Sequence, residues 1–245
     1  MYYYIYDSDL NNKKYNNLVS RIETRLTDLG INGKINYLSF LKNIKQLLTE
    51  EIKRGVKTII IVGNDQTIGK MINIIADFNV VVGIIPVGPK NKIAKFLGVP
   101  EGEDACDTLS SRLIEKIDLG LVNNYYFLTS IESGGGDITI ECDNSYIINL
   151  EGDNQINISN LNHYDETACS PTDDTLDVFL KNIEKKMFKK NKSSFSHIKA
   201  KLIRITSNKL IPILLSDERK IIKTPANIKI VPKKIKLIVG KKRIF

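Results

Sequence analysis

The chain has no tryptophan, few cysteines and few histidines. Its three cysteines, Cys106, Cys142 and Cys169, are too few and too scattered for a disulfide framework. The two histidines, His163 and His197, share no metal-ligand spacing with the cysteines. We therefore expect a protein of a reducing cytoplasm that has no structural zinc site.

Long apolar runs are also missing. The longest mostly apolar segment, residues 78–88, is about half of the roughly 20 residues that a membrane-spanning helix needs. The first residues, MYYYIYDSDL, contain neither a basic leader nor a long apolar stretch, and they are more typical of a strand than of a signal peptide. These absences predict a cytoplasmic protein whose only contact with a membrane would be peripheral.

Positive charge is absent from one part of the chain. Residues 123–180 contain no Lys or Arg and 11 Asp or Glu, whereas residues 181–245 contain 20 basic and three acidic residues. If these two segments fold together, their charges largely offset, and we favour this interpretation. The alternative is a basic face that binds a partner, such as an anionic membrane surface. Nucleic acid is the least favoured partner.

The first half of the chain alternates short apolar runs with helical spacing. The apolar runs at residues 2–6, 58–62 and 80–85 are predicted strands. Ser39 is the predicted N-cap of the second helix. Continuous apolar runs are typical of parallel strands that are covered on both faces. The β-α-β-α order predicts an α/β domain with a doubly wound, mostly parallel sheet over residues 1–122.

From about residue 118 the pattern changes to short strands separated by turns. Asn123 and Asn124 form a predicted hairpin turn, because Asn tolerates positive φ. The lysine-rich stretch 185–196 is a predicted exposed loop. We therefore predict an all-β, sandwich-like domain over residues 123–245. In an alternative arrangement its last strands pack back onto the first domain.

Two loops follow predicted strands of the first domain. They are VGNDQT, residues 62–67, and PVGPKN, residues 86–91. In open α/β sheets ligands bind at the carboxyl ends of the strands, and a glycine-rich turn before a helix can bind phosphate through converging N–H groups. Judged alone, VGNDQT favours an ordinary turn, because Gly63 and Gly69 are its only nearby glycines.

The order of the motifs resembles the diacylglycerol kinase catalytic family of lipid kinases, which is related to sphingosine kinases and more distantly to NAD kinases. GNDQT is similar to the family's G-G-D-G-T, and PVGPKNKIA is similar to P-x-G-T-x-N-D-x-A. In the second half, SPTDDTLDVFL is similar to P-x-D-G-x-L-D, and LLSDERKIIKTP to L-D-G-E followed by Pro. This resemblance spans nearly the whole chain. It implies that ATP is bound, with magnesium if the protein is active.

The resemblance also implies functional residues. The nucleotide-binding positions that it carries over are Gly63, Asn64, Asp65, Thr67, Gly88, Asn91 and Lys92. In the second half it implies that Asp217 or Glu218 is the base that activates a lipid hydroxyl, the acceptor of the γ-phosphate of ATP. No residue is assigned to a metal.

Departures from the family motifs fall at chemically important positions. Asn64 and Gln66 replace glycines, Pro89 replaces a threonine, Lys92 replaces an aspartate, and Ser216 stands at the aspartate of D-G-E. Losing acidic partners and close-approach glycines should weaken phosphoryl transfer. We therefore predict a divergent lipid kinase-like protein that binds a nucleotide and whose transfer activity is doubtful. The alternative is a non-catalytic pseudokinase that acts as a binding or regulatory protein, and a homodimer is left open.

Overall fold

The structure is a computed structural model that describes residues 1–39, 43–164, 167–184 and 192–245. The chain divides into two compact units. The first unit contains Met1–Ile117 and Lys234–Phe245, and the second contains Asp118–Lys233. The sequence placed the boundary at residue 122. In the structure, residues 118–122 belong to the second unit and the last twelve residues belong to the first.

The described residues form five α-helices and eighteen strands. The helices are α1 Asn16–Asp28, α2 Ile44–Lys53, α3 Asp65–Ile75, α4 Lys92–Phe96 and α5 Ala105–Ser111. The strands are β1 Tyr2–Tyr6, β2 Lys34–Tyr37, β3 Thr58–Gly63, β4 Val81–Pro86, β5 Ile114–Val122, β6 Tyr125–Phe127, β7 Ser130–Gly134, β8 Ile138–Cys142, β9 Tyr146–Leu150, β10 Asn154–Ser159, β11 Asn162–Tyr164, β12 Thr167–Cys169, β13 Leu176–Glu184, β14 Lys192–Ala200, β15 Leu202–Thr206, β16 Pro212–Leu215, β17 Lys220–Lys223 and β18 Ala226–Ile238.

The first unit is built on a parallel sheet. Its strand order is β2-β1-β3-β4, and the end of β18 pairs in parallel with β4. Every residue of β3 is buried, as its continuous apolar run predicts for a strand that is covered on both faces. This confirms the predicted α/β domain with its parallel sheet.

Helix α2 begins later than the sequence predicted. The structure starts this helix at Ile44, and its N-cap is Asn43, whose side chain accepts a hydrogen bond from the backbone N–H of Gln46 at 3.1 Å. The predicted cap, Ser39, was therefore wrong. Asn and Ser cap helices about equally well, so local preference alone does not choose between them.

The second unit contains two larger antiparallel sheets and the two-stranded antiparallel pair β11–β12. One has the strand order β14-β13-β10-β7-β16-β17, and the other contains β15 between β8 and the first part of β18, with β9 at its edge. Apolar side chains of both sheets form one core, which includes Ile131, Ile140, Ile158, Val178, Ile203 and Ile213. This confirms the predicted all-β, sandwich-like domain.

Strand β14 corrects the prediction of an exposed loop over residues 185–196. Residues 192–196 belong to β14, which pairs with β13 from Lys192 to Ala200. Residues 185–191 lie outside the described residues. Strand β14 is an edge strand of the six-stranded sheet, and edge strands commonly carry polar and charged side chains that oppose pairing with another chain.

Candidate functional site

The loop after β3 places Asn64 at the N-terminus of α3. Its side-chain Oδ1 accepts hydrogen bonds from the backbone N–H groups of Gln66 at 3.0 Å and Thr67 at 3.2 Å. These are two of the donors that a helix N-terminus leaves without an intrahelical partner and that could otherwise bind an anion. The side chain that replaces a glycine of the family motif therefore engages the donors of the loop.

Asp65 joins the two predicted loops. Its carboxylate accepts hydrogen bonds from the backbone N–H groups of Lys92 at 2.8 Å and Ile93 at 3.0 Å, at the start of α4. Its own N–H donates to the carbonyl of Lys90 at 3.1 Å. Because β3 and β4 are neighbours in the sheet, their loops meet at the same edge. The structure thus brings the residues of both motifs together.

Thr67 and Asp7 close the other side of the first loop. The Thr67 hydroxyl donates a hydrogen bond to the Asp7 carboxylate, and the backbone N–H of Asp7 donates to the carbonyl of Val62 at 2.8 Å. A Cβ on Gly63 would lie 3.1 Å from Thr67 and 3.2 Å from Asp7. Glycine at position 63 therefore allows the close approach of these two side chains.

The second loop contains an unsatisfied polar atom. Gly88 has a φ of 93°, a conformation that favours glycine. The Asn91 amide donates to the carbonyl of Gly88 at 2.8 Å and to the Glu101 carboxylate at 3.0 Å. Among the described residues, nothing donates to the buried Oδ1 of Asn91. Lys92 is exposed, and its Nζ lies 5.4 Å from the centroid of the Phe96 ring.

A cavity of about 300 Å³ opens beside the first loop. It is lined by Asp7, Ser8, Asp9, Leu38, Ser39, Asn64, Gln66, Thr67 and Lys70. The sequence analysis missed Lys70, an exposed cation of α3. The available signal was its helical spacing, since Lys70 follows Thr67 by three residues and so lies on the same face of the helix.

Asp217 is tied into the fold of the second unit. The residue is 5% exposed, and its carboxylate accepts hydrogen bonds from the backbone N–H groups of Leu128 at 2.6 Å and Thr129 at 3.1 Å. The Thr129 hydroxyl donates to its other oxygen. These contacts are those of a carboxylate that holds a turn. Glu218 is half-buried on the same turn.

An exposed carboxylate lies beside the position of the motif's aspartate. The Ser216 hydroxyl accepts a hydrogen bond from the Ser130 hydroxyl at 3.1 Å and donates to Glu132 at 3.4 Å. Glu132 is exposed on β7, which pairs with β16. Sequence reasoning missed Glu132, because its place near Ser216 depends on the register of two strands about 80 residues apart.

Residues 1–39, 43–164, 167–184 and 192–245 contain no group of three or more His, Cys, Asp and Glu side chains that could hold a metal ion. They also contain no helix that is long and apolar enough to cross a membrane.

All three cysteines are free and buried, and burial raises the pKa of Cys106 to about 11 and that of Cys169 to about 12.

Comparison with known proteins agrees with this architecture. Residues 2–122 match the model of the diacylglycerol kinase catalytic domain family. A protein of Bacillus subtilis (strain 168) named diacylglycerol kinase is 37% identical over 94 residues, which cover 37% of this chain and 30% of that protein. A Staphylococcus aureus (strain MSSA476) protein with a provisional lipid kinase name is 23% identical, and the alignment covers 92% of each chain.

The fold is also that of a solved structure. The crystal structure of a diacylglycerol kinase from Bacillus anthracis str. Sterne has a TM-score of 0.81 and 19% sequence identity, with coverage of 99% of this chain and 98% of that chain. The shared architecture is a parallel α/β part followed by an antiparallel β part. By the match to the family model, residues 2–122 belong to the diacylglycerol kinase catalytic domain family. The likeness to the solved structure extends the shared fold, though not the family match, over the rest of the chain.

Proposed function

We propose that the protein is an ATP-dependent lipid kinase that binds the nucleotide in its first unit. The observation that supports this proposal most is the bridge by Asp65, which joins the loops after β3 and β4 at the ligand-binding edge of the sheet. The relatives that carry a kinase name supply the reaction class, phosphoryl transfer to a lipid hydroxyl.

The side chains around the loops have the chemistry that ATP requires. Lys70 and Lys92 offset phosphate charge as point cations. The buried Oδ1 of Asn91 accepts a hydrogen bond from an amino or hydroxyl group of the nucleotide. The Asn64 amide leaves the N–H groups of α3 when phosphate takes its place. ATP, when bound, supplies the phosphoryl group that is transferred.

The described residues do not offer a preformed magnesium site. Magnesium is commonly held by one or two carboxylates together with the phosphates of the substrate. Magnesium would therefore arrive as the counterion of the ATP phosphates.

On the acceptor side the proposal assigns Glu132 as the base. Its carboxylate is exposed and adjoins Ser216, whereas the Asp217 carboxylate is engaged by Thr129 and its neighbour Leu128. A general base must reach the proton that it removes, so exposure favours Glu132. The acceptor is an alcohol group of a lipid.

One observation favours the alternative of a non-catalytic binding protein. Asn64 engages two donors of the first loop, and Pro89 removes a hydroxyl and a backbone N–H from the second. A chain that has lost these donors would keep the fold without the transfer reaction.

Calorimetric titration with ATP, with and without magnesium, tests the proposal. We expect a Kd in the micromolar range, and a Lys70→Ala variant should bind about tenfold more weakly because a phosphate-neutralising charge is lost. Lys53→Ala is the matched control, because Lys53 is an exposed lysine of α2 outside the cavity. The absence of binding at millimolar ATP would refute the proposal and favour the non-catalytic alternative.

A further inference from the structure

The hairpin β16–β17 and the residues just before it carry exposed apolar side chains at the edge of the six-stranded sheet. Leu210, two residues before β16, is 70% exposed and Ile221 of β17 is 63% exposed, whereas Ile211 and Ile213 are buried. Within β16 and β17 the alternation follows from the strand period of two, which sends successive side chains to opposite faces. One set fills the core of the second unit, and the other faces solvent.

The register of the hairpin places apolar side chains next to one another. The half-buried Leu214 lies opposite the exposed Ile221, and Pro212 lies opposite Lys223. Leu210 lies two residues before β16. We define the apolar edge as Leu210, Pro212, Leu214 and Ile221. Exposed apolar groups that adjoin one another in this way are typical of an interaction surface.

The exposed charges around the apolar edge are mainly positive. Lys209 precedes Leu210, Arg219 lies on the turn between β16 and β17, and Lys223 lies opposite Pro212. All three cations are exposed. Asp217, on the connecting turn, directs its carboxylate to Thr129. An exposed acid at the border is Glu132, which lies opposite Leu214 on the inner neighbouring strand.

We propose that the apolar edge docks the protein on an anionic membrane surface. Membrane-surface binding combines the burial of apolar side chains at the headgroup boundary with the attraction of lysines to anionic lipids, and the apolar edge with its flanking cations offers both. The occupant is a lipid surface, because the flanking cations complement anionic headgroups and the apolar side chains complement the acyl boundary. This inference goes beyond the proposed function, since docking requires neither ATP nor transfer.

The apolar edge leads directly to the acceptor-side residues of the second unit. Ser216 follows the last residue of β16, and Glu132 pairs with Leu214 of the apolar edge. A lipid that enters from this edge therefore brings its hydroxyl group close to the exposed carboxylate.

Site-specific fluorescence tests the docking surface on the full chain. An Ile221→Cys variant is labelled with an environment-sensitive dye and titrated with vesicles of phosphatidylglycerol and phosphatidylcholine. The three native cysteines are buried, so the new thiol is the reactive one. The matched control is Ile147→Cys on the edge strand β9, which is 70% exposed and lies opposite Glu141.

We expect a blue shift of the dye at position 221 with the anionic vesicles and none at position 147. Replacing Lys209 and Lys223 by Ala should weaken vesicle binding about fivefold for each lysine, whereas Lys53→Ala should not change it. Equal shifts at both positions, or no vesicle binding by the unlabelled chain, would overturn the proposal. A shift that depends on protein concentration without vesicles would also overturn it and assign the edge to a second copy of the chain. None of these measurements uses ATP. A chain that fails to bind ATP would therefore refute the proposed function without deciding the outcome of this test.

Discussion

At the scale of single residues, the departures from the family motif act through their hydrogen bonds as much as through their size. Asn64 could have been read as a steric obstacle in a phosphate loop. In the structure it is a helix cap whose Oδ1 accepts from Gln66 and Thr67, the donors that a phosphate would use. In the function that we propose, ATP therefore competes with an internal acceptor at this loop.

Replacing Asn64 by glycine should strengthen ATP binding. The variant frees two backbone N–H groups, and hydrogen bonds to charged groups contribute about 1.5–3 kcal/mol each. Part of that gain is lost to loop flexibility, so we expect a Kd about tenfold lower in calorimetry. Asn64→Asp is the matched control, because it retains the cap and adds negative charge, and it should bind ATP more weakly than the wild type. Weaker binding by both variants would contradict this role of Asn64.

Glu132 and Asp217 allow a comparison of two carboxylates on one sheet. Under the proposed function, Glu132→Gln should lower phosphoryl transfer to a lipid hydroxyl about 100-fold while the melting temperature stays unchanged, because the proposed base is lost and no buried contact changes. Asp217→Asn should instead lower the free energy of unfolding by about 2 kcal/mol, because an amide cannot replace a carboxylate that accepts from Thr129 and Leu128. If Asp217→Asn is stable and inactive while Glu132→Gln is active, the assignment of the base is reversed.

At the scale of helices and strands, the sequence predicted the first unit well because its buried parallel strands are continuous apolar runs. Both candidate loops were also predicted, since each follows such a run. The bridge from Asp65 to α4 could not be predicted, because it depends on β3 and β4 being neighbours in the sheet. The position of Glu132 beside Ser216 and the strand β14 were not predicted for the same reason, because both depend on which strands pair with each other.

The bridge from Asp65 to α4 predicts that replacing Asp65 disorders the start of α4, in addition to any loss of a ligand contact. In Asp65→Ala the backbone N–H groups of Lys92 and Ile93 lose their acceptor. Their hydrogen exchange should accelerate by at least about tenfold, because the loop opens more readily without these charge-assisted hydrogen bonds. Asp65→Asn is the control, since its amide oxygen can still accept and should preserve part of the protection. Unchanged exchange in Asp65→Ala would show that the bridge does not order α4.

An ion pair between a residue of β2 and a residue of α2 predicts that the free energy of unfolding depends on pH. The buried Glu51 of α2 accepts hydrogen bonds from Lys34 of β2 at 2.5 Å and from Arg54 at 2.9 Å. The hydrogen bond from Lys34 lowers the pKa of Glu51 below its usual value of 4.5. A depressed folded-state pKa contributes stability above pH 4.5, and this contribution is lost as the pH falls through the lower folded value.

Urea unfolding between about pH 3 and pH 6 measures this contribution. The wild type should lose stability towards the acid end relative to Glu51→Gln, which has no carboxylate at this position. The two curves should therefore converge as the pH falls. Parallel curves would contradict a depressed pKa at Glu51.

At the scale of the whole molecule, the uneven charge distribution is partly neutralised within one unit. The acidic and basic segments meet where β13 pairs with β14, and Lys199 donates to the Asp173 carboxylate at 2.5 Å. This hydrogen bond raises the pKa of Lys199. The contact agrees with the interpretation that opposite charges pair inside the domain, while the cations around the apolar edge stay exposed to solvent.

The last twelve residues limit which fragments of the chain we expect to fold on their own. The family model ends at residue 122, but the first compact unit also contains Lys234–Phe245. In that segment Ile235, Leu237 and Val239 are buried, and Leu237 pairs with Val82 of β4. Removing the segment exposes the edge of the parallel sheet at β4. It also removes buried side chains, and each buried Leu or Ile contributes about 2–5 kcal/mol to the free energy of unfolding.

Expression of residues 1–117 alone should therefore give an unfolded or aggregated product, because typical domains are stable by only about 5–15 kcal/mol. A chain in which a flexible linker connects residue 117 to residues 234–245 should unfold cooperatively in urea. The matched control carries Leu237→Asp in the linked segment, which places a charge in the core and should abolish folding. Cooperative unfolding of residues 1–117 on their own would show that the family-matched part is an independent domain, and the C-terminal strand would then be an accessory to it.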